Sequence, residues 1–309
     1  MPNDMYDAIV VGGGHNGLVA ACYLAKSKKK VLLLESQDAL GGATTSAKTF
    51  PDYDAHLSRY SYLVSLLPNQ IIADLGINFC TLRRSFASCT PYHREGRHDG
   101  LLIHSDWGPT TAKSFSRLTG RKHDAHAWQT FSQENSAFAK RFAPTMLQPL
   151  RTASALKSEI GLPKTWEHLI ENPINEFICN RFSDDLVRGV ALTDALIGTF
   201  VSAGNMQANR CFLYHIIGNG TGEWRVPRGG MGMLIHELHR IARKSGVDIR
   251  LRSKVDQLES GSNGVAVKTT AGKRYTAKNL LFAAAPQHLA QLRNTETPDS
   301  LSGAQIKIN

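Results

Sequence analysis

The stretch from Tyr6 to Gly42, YDAIVVGGGHNGLVAACYLAKSKKKVLLLESQDALGG, constrains the fold more than any other part of the chain. Ala8 to Val11 is a short apolar run, which predicts a buried strand. Gly12, Gly14 and Gly17 follow with the spacing G-x-G-x-x-G. Leu18, Ala21, Cys22 and Ala25 then recur at i, i+3, i+4 and i+7, which predicts a helix with one packed face. Val31 to Leu34 is a second buried strand, and Glu35 stands at its end.

Each element has a physical role in that order. Gly12 allows a turn too tight for a side chain, Gly14 lets the backbone touch a pyrophosphate, and Gly17 lets the helix pack close to the strand. The helix start offers unpaired N–H groups and partial positive charge, so a phosphate rests there favourably. Glu35 lies 18 residues after Gly17, near the offset at which an acid meets ribose hydroxyls. A carboxylate there repels a 2′-phosphate, which disfavours NADP. After Ser27 come Lys28, Lys29 and Lys30, so this helix must end without a glycine.

The length of 309 residues suggests about two domains. No apolar run approaches the roughly 20 residues that span a bilayer. The chain begins MPND and enters a strand almost at once, unlike a secretory signal. An intracellular, cytoplasmic protein is expected, with the mitochondrion the alternative in a eukaryotic cell. The formal charge is +10. Its basic residues fall in small groups without interleaved aromatics, which argues against nucleic acid as a partner. Peripheral attraction to an anionic membrane face fits the same charge. Cys22, Cys80, Cys89, Cys179 and Cys211 make no C-x-x-C pair, so a dithiol redox centre, a zinc ribbon and a disulfide scaffold are disfavoured. All five read as buried or half-buried apolar residues. The twelve histidines show no metal-binding spacing, and no metal is expected.

Thr49 to Pro68 ends in a Tyr/Leu/Val run. Either Tyr60 and Tyr62 face a site, or a helix packs Tyr62, Leu63, Leu66 and Leu67 into the core; the periodicity favours the helix. Asn69 to Gly76 reads as a helix stopped by its glycine. Phe79 to Ile103 reads as short strands, with His93 to Gly100 a turn or exposed loop. From Pro109 to about Leu169 the pattern is helical, Ile174 to Phe182 and Asp184 to Ile197 read as further helices, and the block from about 80 to 220 carries no nucleotide signature. Pro227, Gly229, Gly230 and Gly232 form a glycine turn before an amphipathic helix that Gly246 closes. Val247 to Leu251, Val265 to Thr269, Arg274 to Ala277 and Leu280 to Ala284 read as strands. The domain boundaries expected are 1–79 and 223–295 for the nucleotide domain, 80–222 for an inserted substrate or cap domain, and 296–309 for the start of a further strand.

VVGGGHNGLVAACYLA, LLLES, LGGA, VPRGGMG and LLFAAAP together resemble the phytoene desaturase-like FAD oxidoreductases. Within them the chain is most similar to the branch named for pyridine nucleotide-disulphide oxidoreductase domain protein 2. An acid followed closely by the pair Gly41-Gly42 is part of that resemblance. It implies an α/β fold: a Rossmann-like, glutathione-reductase-like FAD-binding domain with an inserted α+β substrate domain. It implies FAD as cofactor and a hydrophobic small-molecule substrate, polyene-like or lipid-like. Gly12, Gly13, Gly14, Asn16 and Gly17 would hold the pyrophosphate, Glu35 the adenosine ribose, and Gly41, Gly42 and Ala43 the flavin side. Many such flavoproteins carry arginine where Ala43 stands, so that phosphate contact is missing here. Val255 falls where such folds bind adenine through a main-chain strand, and reads equally well as an ordinary strand valine. The resemblance names no catalytic base. Tyr60, His215 and Trp224 are candidates by position, each with a structural reading beside it. The final glycine–acid motif of the family does not follow Pro286, so the C-terminal closing segment reads as absent. The competing reading is a catalytically inert FAD-fold chain serving as an interaction or membrane-peripheral module.

Overall fold

In the computed structural model, which describes residues 5–61 and 63–296, the first apolar run forms strand β1 (Tyr6–Val11). The readings placed on Tyr62 and on the further strand expected within 297–309 lie outside the described residues. Helix α1 (His15–Lys26) returns across the sheet and leads into β2 (Val31–Leu34). The two strands are parallel, with Ala8 opposite Val31 and Val11 opposite Leu34. The buried face of α1 is Gly17, Leu18, Ala21, Cys22 and Ala25, which contains the predicted stripe. The helix ends on Ser27, and Lys28 takes the left-handed conformation at φ 59° that a glycine usually supplies. Such a non-glycine residue is unusual and carries local strain.

Two short strands, β3 (Ser46–Ala47) and β4 (Leu57–Ser58), pair as a small hairpin. The helix expected over Tyr62 to Leu67 does not form among the described residues. Val64 instead exchanges backbone hydrogen bonds with Arg225 at 2.9 and 3.0 Å, so long-range pairing overrides the local periodicity. Helix α2 (Asn69–Leu75) stops at Gly76, φ 65°, as its glycine predicts. After β5 (Thr81–Leu82), β6 (Phe86–Arg94) and β7 (Arg97–His104) form one long hairpin. The predicted loop over 93–100 shrinks to Glu95-Gly96, with φ of 53° and 74°, a pair that suits the twist of a tight hairpin. Seven helices follow: α3 (Pro109–Thr119), α4 (His123–Phe142), α5 (Ala153–Ile160), α6 (Pro163–Trp166), α7 (Ile174–Arg181), α8 (Asp185–Leu196) and α9 (Met206–Ile217).

The chain then re-enters the sheet. β8 (Val226–Pro227) pairs with β5, α10 (Gly232–Lys244) packs beside α1, and β9 (Asp248–Arg250) adds to β2 in parallel. β10 (Val255–Gly261), β11 (Gly264–Thr269) and β12 (Arg274–Phe282) form an antiparallel meander, and α11 (Pro286–Leu292) follows. The two strands expected at 274–277 and 280–284 are one. The first half of β12 pairs with β11 and its second half with β1, so polar Lys278 and Asn279 lie within a continuous strand. The sheet order is β10-β11-β12-β1-β2-β9.

Alternation along β1 and β2 divides the core. Val10 and Leu33 pack with Leu18 and Cys22 of α1 and Leu234 and Leu238 of α10. Ile9, Val11, Leu32 and Leu34 pack on the other face with Val255, Val267 and Ala277 of the meander. Each such aliphatic side chain contributes about 1.5–3 kcal/mol by leaving water. A third cluster lies in the helices, where Phe115, Phe131, Phe138, Phe182 and Phe212 are buried.

Candidate dinucleotide site

The C-terminal ends of β1 and β2 carry the glycine turn, the position at which parallel α/β sheets bind ligands. The Gly12 N–H donates to the Leu34 carbonyl at 2.8 Å, and the Ala283 N–H donates to the Val11 carbonyl at 2.8 Å, which seats the turn between neighbouring strands. A Cβ on Gly17 would stand 2.0 Å from the Gly12 carbonyl oxygen, so α1 can start this close to β1 only with glycine there. Gly14 is the residue before α1, and the first turn of the helix has neither a side-chain cap nor an acid. Its orphan N–H groups and partial positive charge are left for an anion. A Cβ on Gly14 would meet nothing nearer than the Gly41 carbonyl at 4.0 Å, so there is open space before the helix. Asn16 is exposed on this first turn.

Glu35 is 8 % exposed. Its Oε2 accepts the Gly13 N–H at 2.7 Å. Its Oε1 accepts the Gln37 N–H at 2.8 Å and the Ser36 hydroxyl at 3.0 Å. The carboxylate is therefore fixed against the glycine turn with its charge satisfied. The Ser253 N–H donates to the Glu35 carbonyl at 2.7 Å, which brings the approach to β10 beside the acid. Val255, the first residue of β10, is 2 % exposed and packs in the same cluster as Leu34.

The second glycine loop meets the first. The Gly41 N–H donates to the Gly13 carbonyl at 2.9 Å, and Gly14 and Gly41 form a parallel bridge. Gly42 and Ala43 are exposed beside it. The Thr44 hydroxyl is 2.8 Å from His15 Nδ1, a contact nothing in the sequence announced. Crowding by neighbouring groups lowers the His15 pKa below its ordinary value, which favours the neutral ring. A third glycine segment joins from far along the chain. The Gly232 N–H donates to Ser46 Oγ at 2.9 Å, and the Met231 N–H donates to Ser58 Oγ at 2.9 Å. The β3–β4 hairpin thus ties the Pro227–Gly232 turn to the loop after Gly41.

The structure brings Gly12, Gly13, Gly14, Asn16, Gly17, Glu35, Gly41, Gly42, Ala43 and Val255 to one region, through the contacts above. The catalytic candidates divide: Tyr60 follows Arg59, whose N–H donates to the Thr45 carbonyl at 2.9 Å just past the Gly41–Ala43 loop, whereas His215 and Trp224 contact each other. Tyr60 is 53 % exposed, with the Arg59 guanidinium 5.4 Å from its ring centre. His215 stacks on Trp224 at 5.0 Å, and the Trp224 indole N–H donates to the His215 carbonyl at 2.7 Å. His215 Nδ1 lies 2.8 Å from the Cys211 carbonyl, so that nitrogen carries the proton. The pair ties the end of α9 to the strand entering β8. Three of the five cysteines depart from expectation, since Cys80, Cys89 and Cys179 are exposed. Cys89 lies on strand β6 and Cys179 on helix α7, at positions turned to solvent, whereas Cys22 sits under α10. Among the described residues no helix is long and apolar enough to cross a membrane.

A mixed sheet with parallel central strands, an uncapped helix start, a buried acid at the end of the next strand and a glycine loop closing over both defines a dinucleotide-binding α/β protein. The chain belongs to the flavin-containing amine oxidoreductase family, which matches residues 17–306. Its cofactor is FAD. An uncharacterised protein of Mycobacterium tuberculosis is 38% identical over 317 residues, covering 98% of this chain and 58% of that protein. The pyridine nucleotide-disulfide oxidoreductase domain-containing protein 2 of Mus musculus is 30% identical over 91% of this chain and 54% of its own length. A solved putrescine oxidase variant overlays 93% of this chain and 60% of its own with a TM-score of 0.61 at 18% identity, a likeness of fold. The chain therefore spans somewhat over half the length of the curated relatives it matches.

Proposed function

We propose that the chain is the FAD-holding portion of a flavin-dependent oxidoreductase that acts on a hydrophobic substrate. The observation that carries the reading is the buried Glu35 carboxylate, fixed 2.7 Å from the Gly13 N–H beside the uncapped start of α1. The residues present suit the group. The diphosphate would sit against the first turn of α1, where unpaired backbone N–H groups meet the open space beside Gly14, and Gly17 lets the helix start close to β1. Glu35 would accept ribose hydroxyl donors on the side turned from its own loop. Gly41, Gly42 and Ala43 would flank the flavin side, with the Pro227–Gly232 turn behind them. Val255 would lie near the adenine, where its buried side chain and strand backbone form a wall. FAD, when bound, supplies the two-electron acceptor. The chain's own residues bind, orient and exclude water.

The phytoene desaturase-like character and the glutathione-reductase-like arrangement are part of this proposal, supported by the glycine segments and by the meander across the sheet. So is the division into a nucleotide part and a helical substrate part, supported by their separate apolar clusters. The substrate class rests on exposed apolar side chains of the helical part. Phe200, Met206 and Tyr214 are exposed, and Tyr214 makes an edge contact with His215 at 5.4 Å.

The test is spectroscopic. Purified protein should carry a yellow chromophore that is released on denaturation and identified as FAD by mass. Under anaerobic conditions the bound chromophore should bleach on adding apolar alkene-forming or polyene substrates. Protein that takes up no flavin after reconstitution contradicts the reading.

A further inference from the structure

We propose that the end of the sheet opposite the glycine turn docks on an anionic lipid leaflet. β1, β2 and β9 run parallel, and α1 and α10 each lead back to the start of the next strand. Both helices therefore deliver their last turns to the same end. α1 ends at Lys26 and continues into exposed Lys28, Lys29 and Lys30. α10 ends at exposed Arg243 and Lys244. Lys278 of β12 joins them, its Nζ 3.0 Å from Asp7 Oδ1, while Asp7 Oδ2 accepts the Lys30 N–H at 2.9 Å. Between the two helix ends lies a recess of about 440 Å³, edged by Lys26, Arg240, Lys244 and Asp74.

Ordinary helix capping explains part of this charge. Each helix C-terminus carries about half a negative unit, so two ends call for about one cation. More stand here, and three of the four nearby acids are paired with cations. Asp7 is held by Lys278, while Asp74 keeps its charge, accepting the neutral donors Tyr23 at 2.8 Å and Gln70 at 2.6 Å. Asp248 is held by Arg250 at 2.8 Å and Glu237 by Arg240 at 2.8 Å. Lys28, Lys29, Arg243 and Lys244 form no ion pair among the described residues.

The layout favours a lipid surface over a nucleic acid. The cations come from separate segments spread across one end, which matches the diffuse charge of a leaflet. The face of the Tyr6 ring is covered by the Lys30 ammonium, 5.2 Å from the ring centre, and so is not free to stack a base. Docking by this end leaves the glycine turn about 20 Å away along β1, so the nucleotide site stays open.

Vesicle sedimentation tests this, and its readout does not depend on flavin or on the proposed oxidoreductase activity. The purified full chain should pellet with phosphatidylcholine vesicles containing about 30% phosphatidylserine, and stay in solution with phosphatidylcholine alone. Raising salt to about 0.5 M should release it. The triple variant Lys28→Gln, Lys29→Gln, Lys244→Gln should bind about a hundredfold more weakly, at roughly fivefold per cation. A matched control, Lys113→Gln, Lys122→Gln, Lys164→Gln, removes the same charge from exposed sites on the helices and should bind as the parent does. Circular dichroism and melting check both variants; were the first to misfold, the salt series and the lipid comparison on the parent protein decide. A parent protein indifferent to phosphatidylserine overturns the proposal, as does equal loss in both variants. Retention on duplex DNA with none on vesicles also overturns it and moves this end to nucleic acid.

Discussion

The Glu35 carboxylate accepts the Gly13 N–H at 2.7 Å, so the acid at the end of β2 also shapes the turn at the end of β1. The same side chain collects the Gln37 N–H and the Ser36 hydroxyl on its other oxygen. Glu35→Gln keeps the shape but puts an amide donor among three donors. One buried group is left unpaired, at a cost of about 1–3 kcal/mol. Urea unfolding of the flavin-free protein measures this, and an unchanged midpoint would remove the structural half of Glu35's role.

Two glycines in helices should respond in opposite ways to alanine. At Gly17 a Cβ would stand 2.0 Å from the Gly12 carbonyl oxygen, so the turn or the helix must move. Gly17→Ala should cost about 1–3 kcal/mol and most of the bound flavin. Gly189 is exposed inside α8, and a Cβ there would meet nothing within 4 Å. Gly189→Ala should stabilise by about 0.5–1 kcal/mol through backbone entropy. Thermal unfolding of the pair checks the sign of each, and a stable Gly17→Ala protein with full flavin content would contradict the packing described for α1.

Ser46 and Ser58 hold the Gly232 and Met231 N–H groups from a hairpin more than 170 residues earlier in the chain. Replacing both by alanine should cost about 1 kcal/mol per bond and loosen the glycine turn behind the loop at Gly41. Limited proteolysis near Arg228 should speed up in the double variant. An unaltered cleavage rate there would mean that the turn is held by other contacts.

Acid should weaken α2 through Asp74. Hydrogen bonds from Tyr23 and Gln70 hold its carboxyl below the ordinary value of 3.8. A carboxylate whose pKa is depressed on folding stabilises fully above its unfolded pKa and loses that contribution as pH falls through its folded pKa. The parent protein should therefore lose melting temperature below about pH 4 more steeply than Asp74→Asn does. Parallel slopes for the two proteins would place the acid sensitivity elsewhere.

Local sequence carried the nucleotide half of the fold because its signals are short-range. The run Ala8 to Val11, the glycine spacing and the stripe Leu18 to Ala25 each act within one turn or one strand, and β1, α1 and β2 form where those signals lie. What escaped depends on distant partners. Val64 is drawn into extended backbone by Arg225, and the Glu95-Gly96 hairpin lets polar His93 and His98 continue strands that read as loop. The residues that brace the site, Thr44, Ser46, Ser58 and Ala283, are small and common. Only the fold shows that they meet His15, Gly232, Met231 and Gly12.

The most direct test of the account compares two flavins on the apoprotein. FAD carries the diphosphate and the adenosine sugar assigned to α1 and Glu35, whereas FMN has neither adenosine nor the bridging diphosphate. Fluorescence titration should show FAD binding far more tightly than FMN. Glu35→Gln should weaken FAD by about tenfold or more, as loss of a charged hydrogen bond implies, and leave FMN unchanged. Equal affinity for the two flavins, or an FAD affinity indifferent to Glu35→Gln, would contradict the placement of the dinucleotide on the start of α1.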